Sequence, residues 1–242
     1  VSSTINPPLR SAMNFLCQRL SFYASIIVYG ISISLIAGAL ITQQWIQGKV
    51  VNSKVIAMVE GKMHAGLFSG VRVLDWGLGV RTIPFSVLSE LEEGTSFFGR
   101  GYWFGTVSFT AFGMLFILMA MIFCLIYGMK KQKEYITPYG IMGCTALAML
   151  FLSGAALLFY INFSQYMIDT VLLDSQIDAG FSTKDKIWVG YSFQLFIASI
   201  IVLLLPFILL YLGRVNCFMS ERVLEKAEKQ MKNRADASVF HY

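Results

Sequence analysis

Four long runs without a charged residue constrain this chain more than any other feature of its sequence. The runs are residues 20–48, 101–129, 135–168 and 187–213, and none of them contains Asp, Glu, Lys, Arg or His. A helix needs about 20 apolar residues to cross the ~30 Å hydrocarbon core of a bilayer, and each run exceeds that length. The sequence therefore predicts an all-α membrane protein, a bundle of four transmembrane helices formed by these runs.

Basic residues beside the runs predict the orientation of the bundle, because Lys and Arg collect on the cytoplasmic side of membrane proteins. Segment 1–19 has Arg10 and Arg19 and no acidic residue, and the connection 130–134 and the tail 214–242 are also rich in basic residues. Loop one, residues 49–100, has six basic and five acidic residues, and loop two, residues 169–186, has two basic and four acidic residues, so neither carries a marked excess of basic residues. We therefore expect a multi-pass plasma-membrane protein with both termini in the cytoplasm and both loops outside.

The front half of loop one is rich in residues that favour β-strands, among them Val50, Val51 and Val55. Such a stretch favours a small antiparallel sheet. The overall net charge of +5 follows from the basic residues on the cytoplasmic side, and the chain lacks the interleaved basic and aromatic pattern of a nucleic-acid-binding protein. We expect no nucleic-acid partner.

Small residues recur every four positions in two of the runs. They are Gly30, Ser34 and Gly38 in the first run and Gly140, Cys144 and Ala148 in the third. This spacing places small residues on one helix face and allows close approach of another helix. The prediction is that both faces pack inside the bundle, and a homodimer contact is the alternative for the first. Pro206 predicts a kink in the fourth helix.

Candidate modification sites are few. Cys17 and Cys217 lie beside the first and fourth runs, where cysteines can be reversibly palmitoylated. The alternative is that they serve only as small apolar residues. The sequon Asn162-Phe163-Ser164 makes Asn162 a weak candidate for glycosylation, because it lies close to the expected bilayer.

No catalytic constellation is evident in the sequence. His64 and His241 are the only histidines, so no helix carries the paired histidines of a metal site. The runs also lack the ionisable residues of a proton relay. The sequence predicts that the chain is not an enzyme and holds no metal or cofactor, although bound lipids are expected.

The end of the first run and loop one carry a pattern shared with a known superfamily. Trp45 followed by Gly66-Leu67-Phe68 resembles the Trp and Gly-Leu-Trp signature of claudin-like four-span proteins. The segments Gly66-Leu67-Phe68-Ser69-Gly70 and Gly77-Leu78-Gly79-Val80-Arg81 are similar to the same loop of clarins. Loop one departs from claudins in having no cysteine pair, and Trp76 stands where a clarin-like loop can have Cys.

This resemblance implies a left-handed four-helix bundle topped by an external sheet, with the signature residues of loop one as the recognition surface. It also implies a non-catalytic adaptor, an accessory or organising subunit of a larger channel or receptor. The alternatives are a self-associating junction or scaffold protein and a pore-forming oligomer. The chain ends in Phe240-His241-Tyr242, which predicts a cytoplasmic scaffold that reads C-terminal peptides as a further partner.

Overall fold

The computed structural model describes residues 7–52, 61–75, 79–92, 99–129, 136–168, 171–184, 186–212 and 230. The connection 130–134, the tail 214–242 apart from residue 230, and the first six residues lie outside this part, so their predicted roles stay predictions. The elements run in the order α1 (Pro7–Ile41), β1 (Ile46–Asn52), β2 (Gly61–Ala65), β3 (Ser69–Asp75), β4 (Val80–Ser86), α2 (Val87–Glu92), α3 (Arg100–Met129), α4 (Ile136–Asn162), α5 (Asp174–Asp178), β5 (Phe181–Ser182), β6 (Ile187–Val189) and α6 (Tyr191–Val202).

Four helices are long and apolar enough to cross a membrane, as the uncharged runs predict. The spans are Leu20–Ile41, Arg100–Gly128, Tyr139–Met167 and Tyr191–Leu212. The third continues from α4 through a π-helical turn, Phe163–Met167. In the fourth, the helix is interrupted at Leu203, because Pro206 has no N–H for the carbonyl one turn earlier and its ring crowds that carbonyl. The chain is therefore a membrane-spanning protein with a mostly helical fold.

Two predicted span boundaries are wrong. The first span ends at Ile41, and residues 46–48 of the expected helix belong to β1. The fourth span begins at Tyr191, since residues 187–189 form β6. Both stretches carry no charge, so they resemble the neighbouring helices in composition. In β1 the burial alternates along the strand, which is the period of a sheet with one face covered.

The expected antiparallel sheet is present, but loop one does not form it alone. The strand order is β4-β3-β2-β1-β5, and β6 also pairs with β1. The segment between α4 and the fourth spanning helix supplies two further strands, and Ile46 of β1 lies opposite Ala65 on one side and Val189 on the other. Among the described strands β4 lies at one edge of the sheet and contains Pro84, a residue that is tolerated at an edge because it cannot donate a ladder hydrogen bond.

Polar contacts join the helices inside the bundle. The hydroxyl groups of Tyr29 and Thr145 lie 2.6 Å apart and join α1 to α4. The Ser32 hydroxyl donates to the carbonyl of Ser199 at 3.1 Å and joins α1 to α6. A buried hydroxyl in hydrocarbon needs such a partner, so these contacts help to define which face of α1 turns inward.

The small-residue face of α1 does not pack inside the bundle, contrary to the prediction. No atom lies within 4 Å of the Cβ position at Gly30 or Gly38, and Ser34 is exposed. The inward face is the one with Tyr29 and Ser32, whose larger side chains fill the interior and form the interhelical hydrogen bonds. The first stripe therefore faces the surrounding membrane.

The second stripe is only partly inside. Ala148 is fully buried and Cys144 is partly buried, but Gly140 is exposed with no atom near its Cβ position. The close approach of α3 and α4 depends instead on Gly113 of α3, where a Cβ would lie 2.7 Å from the side chain of Leu152. Gly140 therefore does not lie on an inward face as predicted, whereas Ala148 is buried.

Candidate interaction surface

The signature residues of the sequence converge where the sheet meets the helical bundle, and this region is the candidate functional site. Within the described ranges, no group of three or more His, Cys, Asp and Glu side chains is placed to hold a metal ion. This region instead offers hydrogen bonds, aromatic rings and the ion pair of Arg72 with Glu90.

Trp45 lies at the meeting point of three spanning helices. α1 ends four residues earlier, and the last carbonyls of a helix lack intrahelical partners. The indole Nε1 of Trp45 donates to one of them, the carbonyl of Ala39, at 2.6 Å. Its ring contacts Phe159 of α4 edge-on at 4.8 Å and Phe196 of α6 at 5.4 Å. Trp45 is fully buried, so it supports the fold and is not part of an exposed recognition surface.

The turn at Gly66 and Leu67 attaches the sheet to the bundle. A Cβ at Gly66 would lie 2.9 Å from the carbonyl oxygen of Thr42, so only glycine fits at this close approach to the end of α1. Leu67 is buried, and its carbonyl accepts a hydrogen bond from Nε1 of Trp103 in α3 at 2.8 Å. These two signature residues also have structural roles.

Among the described signature residues, Phe68 has a large apolar side chain that is exposed, with 47% of its surface accessible. Its ring meets Trp103 edge-on with 6.3 Å between centroids, and Trp103 meets Phe104 edge-on at 4.9 Å. Phe104 is 54% exposed. We call Phe68, Trp103 and Phe104 the aromatic ridge. Trp103 is itself buried, and its ring joins the two exposed rings, Phe68 beside the sheet and Phe104 in the first turn of α3.

A buried ion pair fixes α2 to the sheet. The guanidinium of Arg72 in β3 donates to both carboxylate oxygens of Glu90 in α2, at 2.5 and 2.8 Å. It also lies 4.0 Å from the ring centroid of Phe85. Sequence reasoning missed this pair. Its one signal was a charged residue at an inward position of a strand, between Gly70 and Leu74.

The other signature residues divide between the interior and the surface. Gly70 is buried, and a Cβ there would lie 2.5 Å from the ring of Phe85. Gly79 has a φ of +116°, a conformation that favours glycine, and Arg81 is exposed in β4. Trp76, Gly77 and Leu78 lie outside the described residues. The surface part of the signature in the described chain therefore consists of Phe68, Gly79 and Arg81.

Asn162 is not an accessible glycosylation site in the folded protein, which corrects the sequence prediction. Its side chain is 1% exposed, and Oδ1 accepts a hydrogen bond from the backbone N–H of Gly99 at 3.0 Å. Gly99 precedes α3, and its carbonyl accepts from the N–H of Trp103 at 3.0 Å. Asn162 therefore satisfies a backbone donor at the start of α3 and ties that helix to the end of α4.

We expect Asn162→Ala to lower the free energy of unfolding by about 1–3 kcal/mol, because it leaves the N–H of Gly99 without its acceptor. Thermal unfolding of the purified protein in detergent measures this loss. Ser164→Ala is the matched control, since it destroys the same sequon at an exposed residue and leaves the Asn162 contact intact. A glycan on most wild-type molecules, detected by a mobility shift after glycosidase treatment, would contradict the buried placement.

The cysteines predicted to carry palmitate are not tested by the structure. The side chain of Cys17 and all of Cys217 lie outside what the structure describes, so both stay predictions. Cys124 is buried in α3 and Cys144 is partly buried in α4, and both are free thiols. These two cysteines act as small core residues of the bundle.

Comparisons with known proteins add no family to these observations. No protein-family model matches the chain, and no curated protein matches it. What the chain does has to be inferred from the geometry of its own residues.

Proposed function

We propose that this chain is a non-catalytic membrane adaptor, an accessory or organising subunit that binds a larger integral membrane protein such as a channel or receptor. The observation that carries the proposal is the aromatic ridge, which crosses the boundary between the sheet and α3. A partner that spans the same membrane contacts Phe104 at the start of the span and Phe68 on the sheet beside it.

The ridge has the chemistry of a protein interaction site. Aromatic residues dominate the energetic centres of interfaces, and full burial of a Phe side chain contributes about 1.5–3 kcal/mol. Aromatic rings also occur at the membrane surface as simple anchors in the headgroup region. Phe68 differs from such an anchor because other residues hold its ring in place. The ring packs against Trp103, and Trp103 in turn donates a hydrogen bond to the carbonyl of Leu67.

Two contacts join the sheet to the bundle beneath this ridge, namely the burial of Trp45 between three helices and the hydrogen bond from Trp103 to Leu67. A third, the hydrogen bond from Gly99 to Asn162, ties α3 to α4. A surface that already has its bound shape loses little conformational freedom on binding, which raises affinity. This fits a protein whose role is to present a fixed surface.

We expect Phe68→Ala to weaken the complex about 30-fold, because a residue at the centre of an interface typically costs 2 kcal/mol or more when truncated. The complex is purified natively in a mild detergent, and mass spectrometry identifies and quantifies the protein that co-elutes. Trp188→Ala is the control, since Trp188 is 45% exposed at the opposite edge of the sheet. Equal loss of the partner with both variants, or co-elution unchanged by either, would contradict the role of the ridge.

Self-association is a second candidate function, and the outward face of α1 favours it. Small residues at four-residue intervals allow two helices to approach closely within a membrane, and the face of Gly30, Ser34 and Gly38 is not used inside this chain. The same purification separates the two candidates. Homo-oligomers that disappear in Gly38→Leu support self-association, whereas a second membrane protein at fixed ratio supports the adaptor.

A further inference from the structure

A groove with a volume of about 410 Å³ lies between α4 and the fourth spanning helix. Its walls include Ser153, Leu157 and Tyr160 from α4 and Phe193, Ile197 and Ile201 from the facing helix. At the end nearest the sheet, the ring of Phe193 packs against the buried Phe159 of α4 with 5.0 Å between centroids. Leu157 and Ile201 are both exposed, so the groove opens sideways into the hydrocarbon of the membrane.

The position of the groove along the span is given by its neighbours. Asn162 contacts Gly99 beside Arg100, the charged residue at which the span of α3 begins. Tyr160 therefore lies close to the border of the membrane, where the polar tip of a tyrosine meets the headgroups. The eight residues from Ser153 to Tyr160 extend about 12 Å at 1.5 Å per residue, less than half of the ~30 Å hydrocarbon thickness. The groove thus belongs to the leaflet next to the sheet.

The size and the walls of the groove discriminate between possible occupants. A helix about 10 Å in diameter is too wide to enter a groove of this volume and would lie across its mouth. Helix contacts in membranes also favour small residues, whereas most of these walls are large and branched or aromatic. A volume near 400 Å³ with apolar walls is typical of a site for one small molecule. A single flexible hydrocarbon chain fits these walls, which change from aromatic at one end to aliphatic at the other.

We infer that this groove binds one acyl chain of a glycerophospholipid from the leaflet next to the sheet. The headgroup lies at the level of Tyr160, and the chain passes Leu157 and Ile197 towards Ser153. Binding is independent of the aromatic ridge, whose residues belong to α3 and to the turn before β3 and do not line the groove. The lipid would stay with the protein longer than the lipids on the other outward faces of the bundle.

Photo-crosslinking with a defined lipid tests the inference. The full chain is placed in bilayer nanodiscs that contain phosphatidylcholine with a diazirine in the middle of one acyl chain, and the labelled peptides are quantified by mass spectrometry. We expect the peptides with Ser153–Tyr160 and Phe193–Ile201 to be labelled about fivefold more than the exposed face of α3 at Leu115 and Leu118, as a preference near 1 kcal/mol gives.

Ser153→Phe fills the groove and should bring its labelling down to the level of α3. Leu150→Phe is the control, because Leu150 is exposed on the same helix one turn away and does not line the groove. Monodispersity and thermal stability show that both variants fold, and Ile201→Phe is a second groove-filling variant at the exposed rim. Equal labelling of all outward faces, no effect of the filling variants, or displacement of the acyl probe by a sterol would overturn the inference.

Discussion

Replacing Glu90 with alanine is expected to lower the free energy of unfolding by about 3–5 kcal/mol, because the guanidinium of Arg72 then stays buried without its carboxylate. The pair is buried and bidentate, with N–O distances of 2.5 and 2.8 Å. The energetic reason is desolvation, since a charge removed from water is tolerated only where an opposite charge and hydrogen bonds compensate. Thermal unfolding followed by tryptophan fluorescence measures the loss.

Two further variants show whether the ion pair itself is responsible. Glu92→Ala removes an exposed carboxylate from the same short helix and should change stability by less than about 0.5 kcal/mol. The double variant Arg72→Met with Glu90→Leu should recover most of the stability lost in Glu90→Ala, because it removes both buried charges. Failure of the double variant to recover stability would show that α2 is held by other contacts.

Trp45→Ala is expected to cost about 3–5 kcal/mol, the range for removing a buried large aromatic side chain. The variant empties the space between Phe159 and Phe196 and leaves the carbonyl of Ala39 at the end of α1 without the indole donor. The loss combines a cavity with a lost hydrogen bond, after which the Ala39 carbonyl keeps only the Thr42 hydroxyl at 3.2 Å. The expected result is a lower thermal unfolding temperature together with a loosened sheet, detected as faster amide hydrogen exchange in β1.

Trp45→Phe reduces the cavity, since it keeps a six-membered aromatic ring in the space while it removes the N–H and the five-membered ring of the indole. We expect about 1–3 kcal/mol of loss from the lost hydrogen bond to Ala39 and the smaller ring. Trp188→Ala is the control, because that indole is largely exposed and donates to the side chain of Gln47 at 3.2 Å. Similar losses for Trp45→Ala and Trp188→Ala would show that Trp45 has no special place in the bundle.

The number and type of the spanning elements followed from the sequence because a bilayer demands long uncharged helices. The ends of those helices did not follow. Residues 46–48 are uncharged, and this composition suits both the end of a spanning helix and the start of a strand. They form a strand because they pair with other strands, as Ile46 does with Ala65 and Val189. Gly190 marks the start of the fourth helix, since a Cβ there would lie 2.0 Å from the carbonyl oxygen of Gln44. That contact joins residues far apart in the chain, so no local pattern reveals it.

Periodicity placed Gly30, Ser34 and Gly38 on one face of α1 but did not determine where that face points. The direction depends on the opposite face, where Tyr29 and Ser32 find their partners on other helices. The signature residues show the same limit. The pattern identified Trp45 and Phe68 together, and only the packing shows that one is buried among three helices while the other is exposed.

β1 can complete its strand pairing only late in synthesis, because two of its partner strands lie much later in the chain. One side of β1 pairs with β2, which follows closely, but the other side pairs with β5 and β6, about 130 residues later. At a ribosomal rate of about 5–20 residues per second, that side stays open for roughly 6 to 26 s. An open strand edge is a template for wrong pairing. The nascent sheet is therefore most dependent on chaperones in the interval before loop two is made. Variants that slow the insertion of the last two spans should misfold by wrong pairing of β1, even when the substituted residue is far from β1.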